Sequence, residues 1–346
     1  MKAPILSVTM AWLASLALAD IKVPPEFKAG ESLKWQIEIQ NTLSTSAAVT
    51  PSVPVWDVDL FHVARTPKII DTLRSQNKNV FIICYFNAGL VQKSDCDYNT
   101  TWDTPAYRGL LGNVWPEFPN ERWINIRNET ARTLIKKRIT LARDLGCDAA
   151  DPDNIDGYGV DNDDSRTGNK KTGWNLQPED DIEFMRVLSK HAHNLTTLRG
   201  YTMLIGQKNA PEIGPTLLKE SLVDFAVLED CKGLRDKDAD VFCDQFQPFI
   251  AAGKPVLSIE YPASLEASPI GSTKCSSTGA NSTEYKASCD KTKGNAGFST
   301  VLKIKNGDGE LNGCTQYCDA GGVGTGVVVT ATDPGKDGAK CPANST

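Results

Sequence analysis

Residues 147–158 read Cys147-Asp148-Ala149-Ala150-Asp151-Pro152-Asp153-Asn154-Ile155-Asp156-Gly157-Tyr158, a short run of small residues that leads directly into a dense group of carboxylates. Side chains two positions apart on an extended segment point the same way, so Asp151 and Asp153 share one face where the strand ends. An acid-rich turn is the alternative, because Asp, Asn, Pro and Gly also form turns. Carboxylates at the end of a buried strand are typical of barrel enzymes that act on sugars.

Similar apolar runs recur along the chain, and most are followed by a segment with helical character. The predicted strands are 34–39, 53–60, 79–86, 147–151, 201–206, 225–228 and 255–260, with 296–305 as the candidate eighth. The predicted helices are 67–76, 129–145, 178–195, 214–220 and 241–252. Apolar strands that alternate with helices indicate a parallel sheet covered on its outer face.

This alternation predicts the α/β class and a single (β/α)₈ TIM barrel over residues 20–320, with disulfide-linked loops and a short C-terminal extension. An open doubly wound sheet is the rival, but no G-x-G-x-x-G or P-loop sequence opens a helix. Residues 159–175 are predicted to form a polar loop, and segment 314–318 to cap the eighth strand. The tail, residues 321–346, is rich in Gly, Ser and Thr, and we expect one short strand at 324–329.

The first 19 residues have a basic start, a short apolar core and an Ala-Leu-Ala end, which predicts a cleaved signal peptide. We therefore expect a secreted, extracellular glycoprotein with no membrane partner. Its sequons lie at Asn99, Asn128, Asn194, Asn281 and Asn344.

The ten cysteines fit an oxidising compartment and predict disulfides. Pairing of neighbours along the chain is one hypothesis, because connectivity cannot be deduced from spacing. It joins Cys84 to Cys96, Cys231 to Cys243, Cys275 to Cys289 and Cys314 to Cys318, and leaves Cys147 and Cys341 over.

Charge and composition exclude several function classes. A net charge of −6 argues against nucleic acid or an anionic membrane as partner. Only three histidines are present and none accompanies a cysteine cluster, so we expect no metal and no cofactor. A G-x-S-x-G elbow is absent, and His191 and His193 are predicted on a helix, which disfavours a serine hydrolase.

In a barrel of this kind the active site lies at the carboxyl ends of the strands, which makes the residues there the candidates. They combine carboxylates, amides and aromatic rings, the groups that bind sugar hydroxyls and stack on sugar faces. The predicted substrate-binding residues are Trp35, Gln36, Asp57, Asp59, Tyr85, Asn87, Asn154, Asp156, Tyr158, Lys208, Asn209, Glu260 and Tyr261. Glycoside hydrolysis needs two carboxyl groups across the scissile bond, and strands four and six supply such a pair.

Each candidate also has a purely structural interpretation. Glu229 could cap a helix or pair with Lys232. Trp35 and Tyr85 are often core residues, and Lys208 could be a solvated charge. The acidic group 161–164 has the composition of a calcium loop but lacks its ligand spacing, so a solvated loop is the better interpretation.

Taken together, several motifs resemble glycoside hydrolase family 114. They are Trp35-Gln36, segment 84–89 (Cys-Tyr-Phe-Asn-Ala-Gly), Gly146-Cys147-Asp148 with the acidic stretch 151–158, Lys208-Asn209, segment 228–231 (Leu-Glu-Asp-Cys) and Ile259-Glu260-Tyr261. The similarity extends from about Trp35 to Cys318 and follows the predicted strand order.

The resemblance implies endo-α-1,4-polygalactosaminidase activity, with a fourth-strand aspartate as nucleophile and Glu229 as general acid/base. Asp153 is the favoured nucleophile, because the family pattern often has Glu at the position of Asp151; spacing alone leaves both open. The implied partner is a cationic galactosamine polymer, which an acidic mouth would attract, and a monomer is expected.

Leu228 and Asp230 depart from the Asn and Gln expected beside the acid/base in this family. This departure keeps open the alternative of a non-catalytic carbohydrate-binding barrel. A second alternative keeps the barrel and the enzyme but changes the sugar, as in an α-galactosidase-like glycosidase acting on another α-linked sugar.

Overall fold

The computed structural model describes residues 27–28, 33–234, 241–267, 274–305, 311–318, 326–337 and 340–341. Its strands are β1 (Trp35–Glu38), β2 (Val55–Asp59), β3 (Phe81–Asn87), β4 (Leu90–Gln92), β5 (Leu111–Trp115), β6 (Phe118–Ile124), β7 (Ala149–Asp153), β8 (Leu204–Lys208), β9 (Phe225–Glu229), β10 (Val256–Glu260), β11 (Ser299–Leu302), β12 (Cys314–Tyr317) and β13 (Val328–Val329). Its helices are α1 (Leu60–Arg65), α2 (Lys68–Gln76), α3 (Glu129–Leu145), α4 (Gly157–Asn162), α5 (Pro178–His193), α6 (Gly214–Lys219), α7 (Gln247–Ala251) and α8 (Ser282–Cys289).

Eight parallel strands form the barrel, in the order β1-β2-β3-β7-β8-β9-β10-β11. β11 continues into the antiparallel strands β12 and β13. The predicted (β/α)₈ barrel is confirmed, and all eight predicted strands overlap observed ones, including the eighth at β11. The predicted tail strand is observed at Val328–Val329, and His191 and His193 lie on α5 as expected.

Side chains close the barrel where β1 meets β11. Trp35 Nε1 donates to the carbonyl of Ser299 at 2.9 Å, and Lys303 Nζ donates to the carbonyl of Ile37 at 2.7 Å. Tyr317 of β12 donates its hydroxyl to the carbonyl of Trp35 at 3.1 Å. These bonds satisfy buried backbone groups at the seam.

Local signals in the sequence explain where the long helices begin and end. Asn128 caps α3 by accepting from the backbone N–H of Thr130 at 2.8 Å, and Gly146 ends it with φ of 103°. α5 begins with a capping box between Gln177 and Asp180. Both helices bury an apolar face against the barrel, which fixes the loops that carry the strand ends.

An antiparallel sheet, β4-β6-β5, is inserted between β3 and α3. Buried Arg138 of α3 anchors the start of this insertion, because it pairs with Asp95 at 2.8 Å and donates to the carbonyl of Asn87 at 2.8 Å. The sequence patterns did not predict this insertion.

The observed disulfides contradict most of the predicted pairing between neighbouring cysteines. Cys231 pairs with Cys243 as expected. The other bonds join Cys84 to Cys147, Cys96 to Cys341, Cys275 to Cys314 and Cys289 to Cys318. Neighbour pairing fails because partners such as Cys84 and Cys147 meet on adjacent strands, β3 and the start of β7, although the inserted sheet and α3 separate them along the chain.

The predicted signal peptide at residues 1–19 and the sequon at Asn344 lie outside the described residues and stay predictions. None of the helices in the described ranges is long and apolar enough to cross a membrane.

Candidate active site

Three successive barrel strands end in the central polar residues of the site. Asp153 is the last residue of β7, Lys208 of β8 and Glu229 of β9. The residue that follows each strand end has a positive φ: 61° at Asn154, 44° at Asn209 and 48° at Asp230. Asn and Asp tolerate this left-handed conformation better than most residues, so the chain turns away sharply and leaves the preceding side chain in the barrel mouth.

Lys208 joins the two carboxylates. Its Nζ lies 3.2 Å from Oδ2 of Asp153 and 2.6 Å from Oε2 of Glu229. Because the two bonds share one nitrogen, these oxygens lie no more than 5.8 Å apart. The lysine side chain is 1 % exposed, whereas the carboxylates are 16 % and 21 % exposed and face the mouth.

The ion pairs determine the charge of the site. Burial opposes ionisation of Glu229, but the Lys208 ammonium and hydrogen bonds from Lys208 and Tyr261 outweigh it and hold the pKa of Glu229 below its usual range. Burial likewise opposes the charge on Lys208, yet Asp153 and Glu229 raise the pKa of that lysine well above its ordinary value. The resting site therefore holds an ionised Glu229 beside a charged lysine.

Further hydrogen bonds orient the two carboxylates. Tyr85 donates its hydroxyl to Oδ2 of Asp153 at 2.7 Å, and Tyr261 donates to Oε1 of Glu229. Asn209 accepts from the backbone N–H of Glu229 at 2.9 Å. Tyr85 and Tyr261 were predicted to contact sugar, and the structure places each against a catalytic candidate.

Asp57 and Asp151 form a buried pair deeper in the barrel. Neither side chain is exposed, and their oxygens have no hydrogen-bond partner among the described residues other than each other. Burial and the charge of Asp151 raise the pKa of Asp57 well above its ordinary value. Burial raises the pKa of Asp151 to about 7, against the opposing effect of Lys208. One proton shared by the pair explains how two carboxyl groups occupy this interior.

Three other predicted site residues are fully buried and lie outside the mouth. Trp35 and Gln36 belong to the seam, where Gln36 donates to Thr330 Oγ1 at 2.9 Å. Glu260 is unexposed beside Lys232, and burial raises its pKa to about 8. The structure therefore gives these side chains no surface for a sugar.

The remaining predicted residues surround Asp153. Asn154 donates its backbone N–H to Oδ1 of Asp153 at 2.7 Å, and its side chain donates to Asn87 at 3.3 Å. Burial and the charge of Asp153 raise the pKa of Asp156 to about 6. Tyr158 donates to Glu212 at 2.7 Å, whereas Asp59 lies further out and caps α1.

Glu121 is a neighbour of Asp153 that the sequence patterns missed. It lies on β6 of the inserted sheet, and its Oε1 accepts from Asn87 Nδ2 at 3.4 Å. Burial and the charge of Asp153 raise its pKa to about 8. The β-rich composition around Trp115 and Trp123 was the signal that could have revealed the insertion.

The acidic loop contains a structural carboxylate. Buried Asp161 accepts from the backbone N–H groups of Thr172 at 2.9 Å and Leu176 at 2.6 Å. The solvated-loop interpretation is therefore wrong for this residue, which instead fastens both ends of the loop. Among the described residues, metal-type ligands cluster only at Cys231, Cys243 and Glu260, where the two sulfurs form a disulfide and offer no thiolate.

Comparison with known proteins identifies the family. The model of glycoside hydrolase family GH114 matches residues 17–323. The chain belongs to glycoside hydrolase family 114. It is therefore a glycoside hydrolase, as its motifs predicted.

Two solved structures are similar to the chain. The crystal structure of Aspergillus fumigatus Ega3 in complex with galactosamine is 31% identical, with a TM-score of 0.64, and the match covers 87% of this chain and 100% of Ega3. The glycoside hydrolase domain of PelA from Pseudomonas aeruginosa is 14% identical, with a TM-score of 0.48, over 74% of this chain and 89% of that domain. Comparison with curated proteins finds no match.

Proposed function

We propose that the protein is a secreted endo-glycosidase that hydrolyses α-1,4-linked galactosamine polymers with retention of anomeric configuration. Asp153 attacks the anomeric carbon, and Glu229 protonates the leaving oxygen and then activates water. The observation that carries this proposal is the pair of partly exposed carboxylates at the ends of β7 and β9, held by one lysine.

The spacing of the pair supports retention. Retaining glycosidases place their carboxyl groups about 5 Å apart, whereas inverting enzymes leave roughly 6.5–9.5 Å for a water molecule. The 5.8 Å upper limit between the Lys208-bound oxygens fits the shorter distance.

The substrate class follows from the relative and from charge. Ega3, 31% identical, was crystallised with galactosamine. A de-acetylated galactosamine polymer is cationic, and beside Asp153 and Glu229 the mouth holds two further carboxyl groups, Asp156 and Glu121, whose ionisation a bound cation would favour. This field favours a polycation.

Glu229 must be protonated to act as a general acid, although its pKa in the free protein is low. A bound polymer covers the mouth and removes water from Glu229, and desolvation raises the pKa of a carboxyl group. We therefore expect activity to be greatest at acid pH.

Asp57 and Asp151 act as positioning residues in this proposal, because their burial keeps them from the sugar. Their shared proton limits the negative charge beneath Lys208. Trp35, Gln36 and Glu260 stabilise the barrel wall.

The test is incubation of the purified protein with de-acetylated galactosamine polymer, followed by sizing of the products and NMR of the first anomer formed. We expect short oligosaccharides with retained configuration. Asp153→Asn and Glu229→Gln should each lower kcat by about a thousandfold or more. Asp144→Asn, 56 % exposed at the end of α3, is the control. Polymer binding without new reducing ends would select the carbohydrate-binding alternative.

A further inference from the structure

The inserted sheet carries Glu121 to the catalytic carboxylate. Gln92 of β4 pairs with Glu121 of β6, and β4 begins shortly after Asn87, the last residue of β3. The neighbouring Arg122 donates to the carbonyl of Gly112 at 2.7 Å, toward β5. The insertion therefore supplies the site with a carboxyl group from outside the barrel strands.

A short series of polar contacts links Glu121 to Asp153. Asn87 donates its amide to Oε1 of Glu121 at 3.4 Å, and its own Oδ1 lies 3.0 Å from the Tyr85 hydroxyl. That hydroxyl donates to Asp153 at 2.7 Å. Glu121 and Asp153 thus lie on either side of the Tyr85–Asn87 pair.

Charge compensation differs between these carboxyl groups. Asp153 and Glu229 share Lys208, whereas no lysine, arginine or histidine of the described ranges forms an ion pair with Glu121. Burial and the negative charge of Asp153 both disfavour its ionisation and raise its pKa to about 8. A cation that enters beside Glu121 therefore favours its ionised form, and the carboxylate then accepts a charge-assisted bond from that cation.

We propose that Glu121 binds the ammonium group of the galactosamine unit whose anomeric carbon meets Asp153, and so sets the preference for de-acetylated over N-acetylated polymer. This inference rests on the proposed function. The amine of galactosamine is on C2, next to the anomeric carbon, so a residue beside the nucleophile is in position to contact it. An acetamide carries no charge and gains no charge-assisted bond from the carboxylate.

Glu121→Gln keeps the shape of the side chain and its contact with Asn87 while it removes the charge. We expect the KM for de-acetylated oligosaccharide to rise about tenfold or more, with kcat changed less than about threefold. By calorimetry, Kd for de-acetylated oligosaccharide should rise by the same factor, and Kd for the N-acetylated form should stay the same.

The matched control is Glu117→Gln on the same insertion. Glu117 is 47 % exposed and pairs with Arg166 at 2.9 Å, so its loss tests the removal of a surface charge without a change in the mouth. The KM and Kd of Glu117→Gln for de-acetylated oligosaccharide should match those of the unmodified protein. Asp156→Asn is compared in parallel, because the charge of Asp153 also raises the pKa of Asp156.

Three results would overturn the inference: an unchanged ratio of the two Kd values in Glu121→Gln, a loss of kcat at constant KM, or loss of the amine preference in Asp156→Asn alone. Failure of the proposed function is distinct, because the unmodified protein would then release no reducing ends. The calorimetric ratio still tests Glu121 in that case.

Discussion

Lys208 Nζ lies 2.6 Å from Oε2 of Glu229 and 3.2 Å from Oδ2 of Asp153, so a single buried cation forms an ion pair with each catalytic candidate. The lysine belongs to β8, the strand between those that carry the two acids. The geometry of the pair and the low pKa of Glu229 therefore depend on the same residue.

Replacement of this lysine should change both the pKa of Glu229 and the stability of the fold. Lys208→Met removes the ammonium that holds the pKa of Glu229 low, so that pKa rises. The alkaline limb of kcat/KM should move upward by more than about 1 pH unit, and stability should fall by about 1–3 kcal/mol because two partly exposed carboxylates lose their buried partner. Lys219→Met, at an exposed position on α6, is the control, and an unshifted limb would contradict the assigned role.

The choice between Asp151 and Asp153 is testable by paired substitutions. Asp153 is partly exposed, whereas Asp151 is fully buried against Asp57. We expect Asp153→Asn to lower kcat by about a thousandfold or more and Asp151→Asn by roughly ten- to a hundredfold. Rates on de-acetylated polymer, with circular dichroism as a check of folding, measure the difference. The reverse order of rates would make Asp151 the nucleophile.

Gly89 marks a close approach between the β3–β4 turn and the loop after Asp153. A Cβ there would lie 1.8 Å from the carbonyl oxygen of Asn154, and the turn donates two N–H groups to the carbonyl of Asp153. Gly89→Ala should therefore destabilise the protein by about 1–3 kcal/mol and lower kcat, as thermal unfolding and rate assays would reveal. Gly109→Ala, with no atom within 4 Å of the added Cβ, should be neutral. Equal behaviour of the two variants would refute the argument.

Buried acids give stability a specific pH dependence. The pKa values of Glu38, Glu121 and Glu260 are raised by burial from 4.5 to about 8, and that of Asp151 from 3.8 to about 7. The folded protein keeps these protons when the unfolded chain has lost them, so their stabilisation is complete below pH 4 and is lost as the pH rises toward 8.

The melting temperature should consequently fall between pH 5 and about 7. Buried Lys303 acts in the opposite sense at higher pH, because burial lowers its pKa from 10.5 to about 7. Scanning calorimetry across this range measures the slope. A rise in melting temperature between pH 5 and 7 would show that other groups dominate.

Much of the barrel could be predicted, because fully buried parallel strands form continuous apolar runs whose ends are marked by polar residues. α3 was predicted at its observed ends, 129–145, since Asn128 and Gly146 are strong capping signals. The strand that ends at Lys208 was predicted to end two residues early, at 206, because Gln207 and Lys208 are polar although both are buried.

Other features depend on contacts that no local pattern encodes. An aromatic side chain such as Trp35 can stack on a sugar, but here its indole N–H donates a hydrogen bond to the carbonyl of Ser299 at the barrel seam. The shared position of Lys208 between two acids depends on how far its side chain reaches across the mouth. Glu121 was missed because its insertion breaks the strand–helix alternation on which the prediction relied.

The bond between Cys96 and Cys341 spans 245 positions along the chain. A single backbone cut anywhere between these two residues leaves both pieces covalently attached, so the nicked molecule keeps its mass until it is reduced. Proteolysis in the loops of this region therefore cannot by itself release any of the five barrel strands that lie after Cys96 from the three that precede it.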